Sequence, residues 1–449
     1  MFDPLASLHD AELADLYERG RRALPGGVCS STRFNRAWDS PVYATCAQGA
    51  RFWDVAGREF LDMSMSHGAT LLGHGHPSLR AAFERVLELG GLCSLDTAYH
   101  IQLAEQLCEI VPCGERVRFT SSGSEATLHA LRLCRAVSGR DKIIRFRGHF
   151  HGYHEFAFVA GHPPADQLEA QPPYRESPGI PKTVAELVIP VEYNDFEELE
   201  TVVRRHRDEV GTILIEPVDY NCGCILPEPG FLEHARNLAD ENDMLLFFDE
   251  IQSFAKQSPG GAQQDFGVTP DICTIGKSLG GGQPLSAILG RADVMDHFQP
   301  VGAVAHSGTF NAPLPSILSG LAFVQEIRKE SFWNTVHSLA TRLATGLSDI
   351  AARSPVPVRF QQHGSRFGVL FGTRNAVKNY RESLCHSREQ MLDFCRETTE
   401  RRVYFHDYGG GACHHGFSIS HTPDDIDTVL QVVDDALQAM GAVAPTPRA

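Results

Sequence analysis

The chain has 449 residues, 42% hydrophobic and 21% charged, with a formal net charge of −16. So acidic a balance argues against a nucleic-acid binder, which needs a basic face to displace counterions. No apolar run is long enough to span a bilayer, and the length suits one large domain with a smaller one rather than a single small core.

The N-terminal stretch lacks the basic start and apolar core of a signal peptide. Leu13, Leu16 and Tyr17 have helical spacing and predict a short amphipathic helix. The 12 cysteines are scattered, and neighbours such as Cys222 and Cys224 make no zinc pattern. Reduced thiols and a cytoplasmic location are the expectation.

From about residue 116 to 290, short apolar runs alternate with helix-length segments. Arg116–Phe119, Ile143–Phe146, Thr212–Ile215, Met244–Phe248 and Ile272–Ile275 are the clearest runs, and the last three are apolar at nearly every consecutive position. That pattern predicts strands buried on both faces, as in a parallel sheet covered by helices. Ala130, Leu131, Cys134 and Val137 line one face of a helix after Ser124, and Phe231–Asn242 predicts another, opened by Pro229-Gly230. The alternation implies an α/β domain with its ligand site at the carboxyl ends of the strands. His162–Lys182 carries six prolines and stands open between a functional lid and a surface excursion. After about residue 311, a helix over Ile317–Lys329 leads into a mixed α/β tail that reads as the smaller domain. Its last helix opens at Thr422-Pro423-Asp424-Asp425, an N-cap with proline at the first turn and acids beside it.

Three features fall at strand ends. In RVRFTSSGSEATLHALRL, Ser122, Gly123 and Ser124 place hydroxyls and backbone N–H groups at a helix N-terminus, either a phosphate cradle or an ordinary N-cap. In MLLFFDEIQS a buried strand ends in Asp249, a carboxylate that needs a partner such as a protonated ring nitrogen. A capping role, or Glu250 as the functional acid, are the alternatives. In DICTIGKSLGGGQPLSAILGR, Lys277 follows a strand and precedes Gly280-Gly281-Gly282. A Walker A loop would need glycine at 271, where this chain has Asp271. A lysine beside a flexible glycine run suits covalent catalysis, because partial burial favours the neutral amine. A lone strand-end lysine is more often a solvated surface group; the set of three carries the functional reading.

His149, His151 and His154 form an H-x-H-x-x-H like the start of a metallo-hydrolase site, but Tyr153 stands where an acid is normal. That reading is the remote alternative, and no metal is expected. A non-enzymatic cofactor binder on this scaffold would lack the lysine, which is present.

The chain resembles class III pyridoxal-phosphate-dependent aminotransferases, and among them glutamate-1-semialdehyde aminomutases. The resemblance runs from about Leu24 to the C-terminus. It rests on LPGGVCSSTRF, RFWDVAGREFLDMS, LGHGHP, RFTSSGSEA, GHFHGYH, ILIEPVDYNCG, LLFFDEIQS, DICTIGKSLGGGQPLSAILGR, GTFNAPL and FSISHTPDDID. It implies a fold-type I transferase with a large cofactor domain at 56–310, a small α/β domain at 311–449, and an N-terminal helix and arm at 1–55 packing with the small domain. It implies pyridoxal 5'-phosphate as cofactor, with Lys277 as its Schiff-base lysine and proton shuttle, and Asp249 on the pyridinium nitrogen. Phe150 would stack on the ring with His151 beside it. Ser122, Gly123 and Ser124 would hold the phosphate, and Thr309 would reach the phosphate of a neighbouring subunit's cofactor in a homodimer. Asn221 and Gln252 would lie near the phenolic oxygen, and Arg33 would bind a substrate carboxylate. The chain departs from the aminomutase pattern at Met65-Ser66-His67-Gly68, Phe310-Asn311-Ala312-Pro313, Cys413-His414-His415 and Arg366. His67, Arg366 and His414 are therefore candidate substrate-binding residues. The expected activity is amino transfer from a carboxylate-bearing small molecule to a keto or aldehyde acceptor. The alternative is intramolecular amine migration, as in a 2,1-aminomutase.

Overall fold

The structure, a computed structural model, describes residues 10–442. They form two compact units. The first residues of the expected N-terminal helix lie outside the described range, and a helix runs over Asp10–Ala23.

The larger unit comprises residues 77–334 and 377–384. At its centre lies a seven-stranded sheet in the order Arg116–Thr120, Ser286–Gly290, Ile272–Ile275, Leu245–Glu250, Val210–Ile215, Lys142–Phe146, Val188–Val191. Ser286–Gly290 runs antiparallel to both its neighbours, and the other strands share one direction. Every residue of Val210–Ile215, Leu245–Glu250 and Ile272–Ile275 is buried, as continuous apolar runs require of central strands. Helix Gly123–Ser138 covers the sheet with Ala126, Ala130, Leu131 and Cys134 and ends at Gly139, whose φ of 68° suits a left-handed cap. Five of the strands match the apolar runs. Ser286–Gly290 and Val188–Val191 were not anticipated, and the second of these contains Pro190. It is tolerated at the sheet edge, where a missing N–H breaks no second ladder.

The smaller unit gathers the described residues up to His76 together with 335–376 and 385 onward. It holds a four-stranded sheet in the order Val403–Tyr404, Glu59–Asp62, Arg51–Asp54, Ala44–Gln48, and a three-stranded one of Val358–His363, Arg366–Phe371 and His414–Gly416. Leu343, Leu347, Phe367, Phe394, Phe405, Val429 and Val433 anchor its core.

The division differs from the expected 56–310 and 311–449. Strand Glu59–Asp62 pairs with Val403–Tyr404, so the N-terminal arm of the small unit extends to His76. Helix Leu314–Ile327 buries residues around its whole circumference and packs on helices Pro77–Leu89 and Ala98–Ile110 of the large unit. A helix apolar all round belongs inside the larger core.

Candidate active site

The loops leaving the carboxyl ends of the parallel strands carry most of the predicted site residues of the large unit. Asp249, 3% exposed, ends strand Leu245–Glu250 in register with Thr274 of the next strand. Its Oδ1 accepts from Thr274 Oγ1 at 3.0 Å and Ile251 N at 3.1 Å, and its Oδ2 lies 2.8 Å from His151 Nδ1. These partners stabilise a buried carboxylate that would otherwise be costly. Burial lowers the His151 pKa, with the Asp249 bond opposing it, so the ring is a neutral donor.

Strand alternation sends Glu250 to the opposite face. Its carboxyl accepts from Ser253 Oγ, Ala262 N and Gln263 N, capping helix Ala262–Phe266, and burial pushes its pKa up to about 7. Asp249, not Glu250, therefore shares a network with the His149–His151 loop.

Glu216 is a further site acid at the end of strand Val210–Ile215, and the sequence reading passed over it. Its backbone N–H donates to His149 Nδ1 at 3.0 Å. Its carboxyl accepts from Phe150 N and, at 3.2 Å, from Asn221 Nδ2. Burial first, then Asp219 and Asp249, raise it well above the carboxylate range, while the Phe150 bond and Lys277 oppose. Glu216 thus ties Phe150 and Asn221 together and lies within the electrostatic reach of Lys277. Asp219 Oδ1 accepts from Asn221 N at 3.0 Å and Cys222 N at 3.1 Å, and burial pushes it up to about 6. The signal for Glu216 was the one that marked Asp249, an acid at the end of a buried strand.

Lys277 is half-buried at the start of the turn Lys277–Gly280, with φ of 42°. A non-glycine residue in that region is strained, and such strain gathers at functional sites. Gly281, at φ of 57°, passes so close to Leu79 that an added Cβ would lie 2.6 Å from Leu79 Cδ2, which gives the glycine run a packing reason. Gln252 is buried just beyond the Asp249 strand.

Ser122 is the N-cap of helix Gly123–Ser138: its hydroxyl accepts from Glu125 N, and Glu125 Oε2 accepts from Ser122 N at 3.1 Å. The N-cap reading holds for that hydroxyl. The N–H groups of Gly123 and Ser124 remain in the first turn, where a helix has no acceptor of its own. Gly152, at φ of 103°, brings the His151 loop against them; a Cβ there would lie 2.5 Å from Ser124 Oγ. Thr127 Oγ1 donates to His151 O at 2.7 Å, locking the two loops.

The three histidines diverge. His149 Nδ1 faces Glu216 N, His151 faces Asp249, and His154 Nε2 lies 3.1 Å from Thr127 Oγ1. Among the described residues no group of three or more His, Cys, Asp and Glu side chains is placed to hold a metal ion. Thr309 stands apart from this cluster in an exposed stretch, where Phe310 O accepts from Ser121 Oγ at 2.6 Å. The segment 162–182 is fastened down: Glu176 accepts from Gly161 N, Arg175 donates to Ile180 O, and Pro163 O accepts from Tyr380. These ties favour the surface excursion over a swinging lid.

In the small unit Arg33 is exposed, and no described acid pairs with it. His67 is half-buried with Nδ1 2.8 Å from Tyr408 OH. Arg366 and His414 are 1% and 2% exposed. The Arg366 guanidinium donates to Ser64 O and His414 O, both at 3.0 Å, and touches His414 Nδ1. Arg366 thus braces two backbone segments, and a role toward substrate for it and for His414 is a proposal.

A buried, hydrogen-bonded carboxylate, a half-buried lysine, and helix N–H groups approached by a loop that tolerates no Cβ together fit a phosphorylated pyridine aldehyde. The family model for aminotransferase class III matches residues 34–437. The chain belongs to the class III aminotransferases. It is a pyridoxal-phosphate-dependent enzyme. It is 33% identical over 434 residues to a glutamate-1-semialdehyde 2,1-aminomutase of Methanocaldococcus jannaschii, covering 95% of this chain and 98% of the relative. A protein of the same name from Syntrophobacter fumaroxidans is 35% identical, over 94% and 96% of the two chains. An omega-transaminase structure from Sphaerobacter thermophilus superposes with a TM-score of 0.87 at 31% identity, over 95% and 97% of the chains.

Proposed function

We propose that this aminotransferase moves an amino group between a carboxylate-bearing amino substrate and a keto or aldehyde acceptor. The observation that carries it is the network joining Asp249, His151, Glu216, Phe150 and Asn221 within electrostatic reach of Lys277. The cofactor, when bound, supplies an electron sink for charge at the substrate carbon. Asp249 would hold the ring nitrogen protonated, and His151 would hold Asp249 oriented. Lys277 would carry the cofactor covalently and move the proton at the reacting carbon. Phe150 would cover the ring, and the Gly123 and Ser124 amides, with the Ser124 hydroxyl, would take the phosphate. Asn221 and Gln252 would lie on the phenolic side. The exposed Arg33, without an acid partner among the described residues, would take a substrate carboxylate, and His67 and His414 would shape the pocket beside it.

The reading includes a homodimer, with Thr309 serving a neighbouring subunit. Leu87, Leu95, Ile101 and Phe310 of the large unit are 86%, 66%, 61% and 62% exposed, apolar side chains that a partner subunit would cover. A cytoplasmic location completes it; no disulfide forms among the described residues, as suits a reducing compartment.

The 33–35% identical relatives named as aminomutases favour intramolecular migration as the second reading. One experiment separates them. Borohydride reduction of the yellow enzyme, followed by peptide mass analysis, should place the cofactor on Lys277. A 15N-labelled donor amine should then appear in an added keto acid. Label confined to the original carbon skeleton would favour the mutase, and label on another lysine would overturn the assignment of Lys277.

A further inference from the structure

In the small unit Met65, Ser66 and His67 have φ of 48°, 53° and 56°, three consecutive non-glycine residues in the left-handed region. Each is strained there by its Cβ against a carbonyl oxygen, and such a run persists only where its surroundings over-determine it. They do. Asp62 Oδ1 accepts from Ser64 N at 2.8 Å and Met65 N at 3.0 Å. Ser64 Oγ accepts from His67 N at 3.3 Å, and Ser64 O accepts from Arg366 Nη1 at 3.0 Å. Tyr408, with φ of 45°, is strained in the same sense, and its hydroxyl lies 2.8 Å from His67 Nδ1.

Two strained turns are thus joined by one side-chain hydrogen bond. His406 packs edge-on against both rings, 4.6 Å from each centroid, and its own Nδ1 lies 2.8 Å from Tyr404 OH. Burial raises the Tyr408 phenol beyond its ordinary range, so it remains a protonated donor at any working pH.

We propose that Tyr408 is a positioning residue for His67: its hydroxyl donates to Nδ1, fixes the ring proton on Nε2, and so sets the preference for amino substrates that carry a carboxylate. The specificity half rests on the reading above, in which His67 shapes the substrate pocket; the pairing half rests on the geometry alone.

The test uses the full-length, cofactor-loaded enzyme and the variants Tyr408→Phe, His67→Asn and both together. Asparagine tolerates the left-handed backbone and removes the ring. Rates are compared for alanine against ethylamine and for 3-aminobutanoate against 2-aminopropane, each pair differing by the carboxylate. Tyr408→Phe should lower the acid-over-amine ratio of kcat/KM about tenfold, as one net hydrogen bond at the strong end of the usual range allows. His67→Asn should lower it at least as far, and the double variant no further than His67→Asn alone. In parallel, NMR of 15N-histidine-labelled protein should show the His67 proton on Nε2, with the tautomers mixing in Tyr408→Phe. A proton on Nδ1 in the wild type would overturn the pairing. An unchanged ratio in Tyr408→Phe, or additive losses in the double variant, would overturn the role in specificity. A yellow wild type that turns over none of the four compounds would instead sink the proposed substrate class, and the tautomer measurement would still decide the pairing.

Discussion

His151 Nδ1 lies 2.8 Å from Asp249 Oδ2, with both side chains nearly inaccessible to water. The partner of the carboxylate is a neutral imidazole, because burial lowers the His151 pKa. A neutral donor orients Asp249 without cancelling the charge that a ring nitrogen needs. Removing one partner of a buried charge pair costs about 2–5 kcal/mol, so Asp249→Ala should cut kcat/KM by roughly 30-fold to several thousand-fold. His151→Ala removes one hydrogen bond to a charged group, worth about 1.5–3 kcal/mol, and should cut it about 10- to 100-fold. Steady-state kinetics with the absorbance of bound cofactor as a control check both. A wild-type rate in His151→Ala would mean that Asp249 is held well enough by Thr274 and Ile251.

Gly152 gives a sharper test of the phosphate end. Its φ is 103°, and an added Cβ would lie 2.5 Å from Ser124 Oγ and 2.9 Å from Ser124 Cα. The second of these is backbone at the start of a helix and cannot step aside. Gly152→Ala should therefore raise the cofactor Kd at least tenfold, read by fluorescence titration of the apoenzyme. Gly139→Ala is the control. It also has positive φ but open space around it, so it should cost about 1 kcal/mol of stability and leave the Kd alone.

The sheet and the residues at its edge were legible because each central strand is apolar throughout and each acid at its end is out of place in such a run. Asp249 and Lys277 stood out that way. Glu216 obeyed the same rule at the end of its own buried strand and was passed over. Ser122 stayed ambiguous in the sequence, since a capping hydroxyl and a phosphate-binding hydroxyl present the same residue at the same helix end. Arg366 shows what a linear reading lacks. A charged residue at a departure from the family pattern read as a candidate for substrate, and only the fold reveals the carbonyls of Ser64 and His414 that accept its protons. The boundary at 310 failed for a related reason. Helix Leu314–Ile327 follows the glycine loop in sequence, but its uniform apolarity fits only the larger core.

Glu216 makes a prediction about charge rather than shape. Its carboxyl is raised well above the carboxylate range, chiefly by burial, which favours its protonated form. Glu216→Gln keeps an acceptor of similar shape without the ionisable group and should keep most of the activity and the melting temperature. Glu216→Ala leaves Phe150 N and Asn221 Nδ2 without their acceptor and should cost about 2–4 kcal/mol. Thermal melts and kcat for the two variants check this. Equal damage in both would mean that a negative charge at Glu216 matters.

The acid sensitivity of the small unit should report His421. The ring is 3% exposed, its Nδ1 accepts from Ser418 N at 3.1 Å, and burial lowers its pKa to about 4 despite Asp62 and Asp425. An unfolded chain binds this proton near pH 6.5, and the folded protein refuses it until about pH 4. The stabilisation is thus fully present above pH 6.5, is lost as pH falls from 6.5 to about 4, and changes no further below that. At roughly 1.4 kcal/mol per pH unit, the loss from this one group approaches about 3 kcal/mol. His154, lowered to about 3, acts in the same sense over a wider window. His421→Asn keeps an acceptor for Ser418 N and removes the titrating ring. Urea midpoints at pH 7.5 and 4.5 should therefore fall less in the variant than in the wild type, by the equivalent of about 2 kcal/mol. Parallel losses in the two proteins would show that the fold accepts the proton on His421 after all.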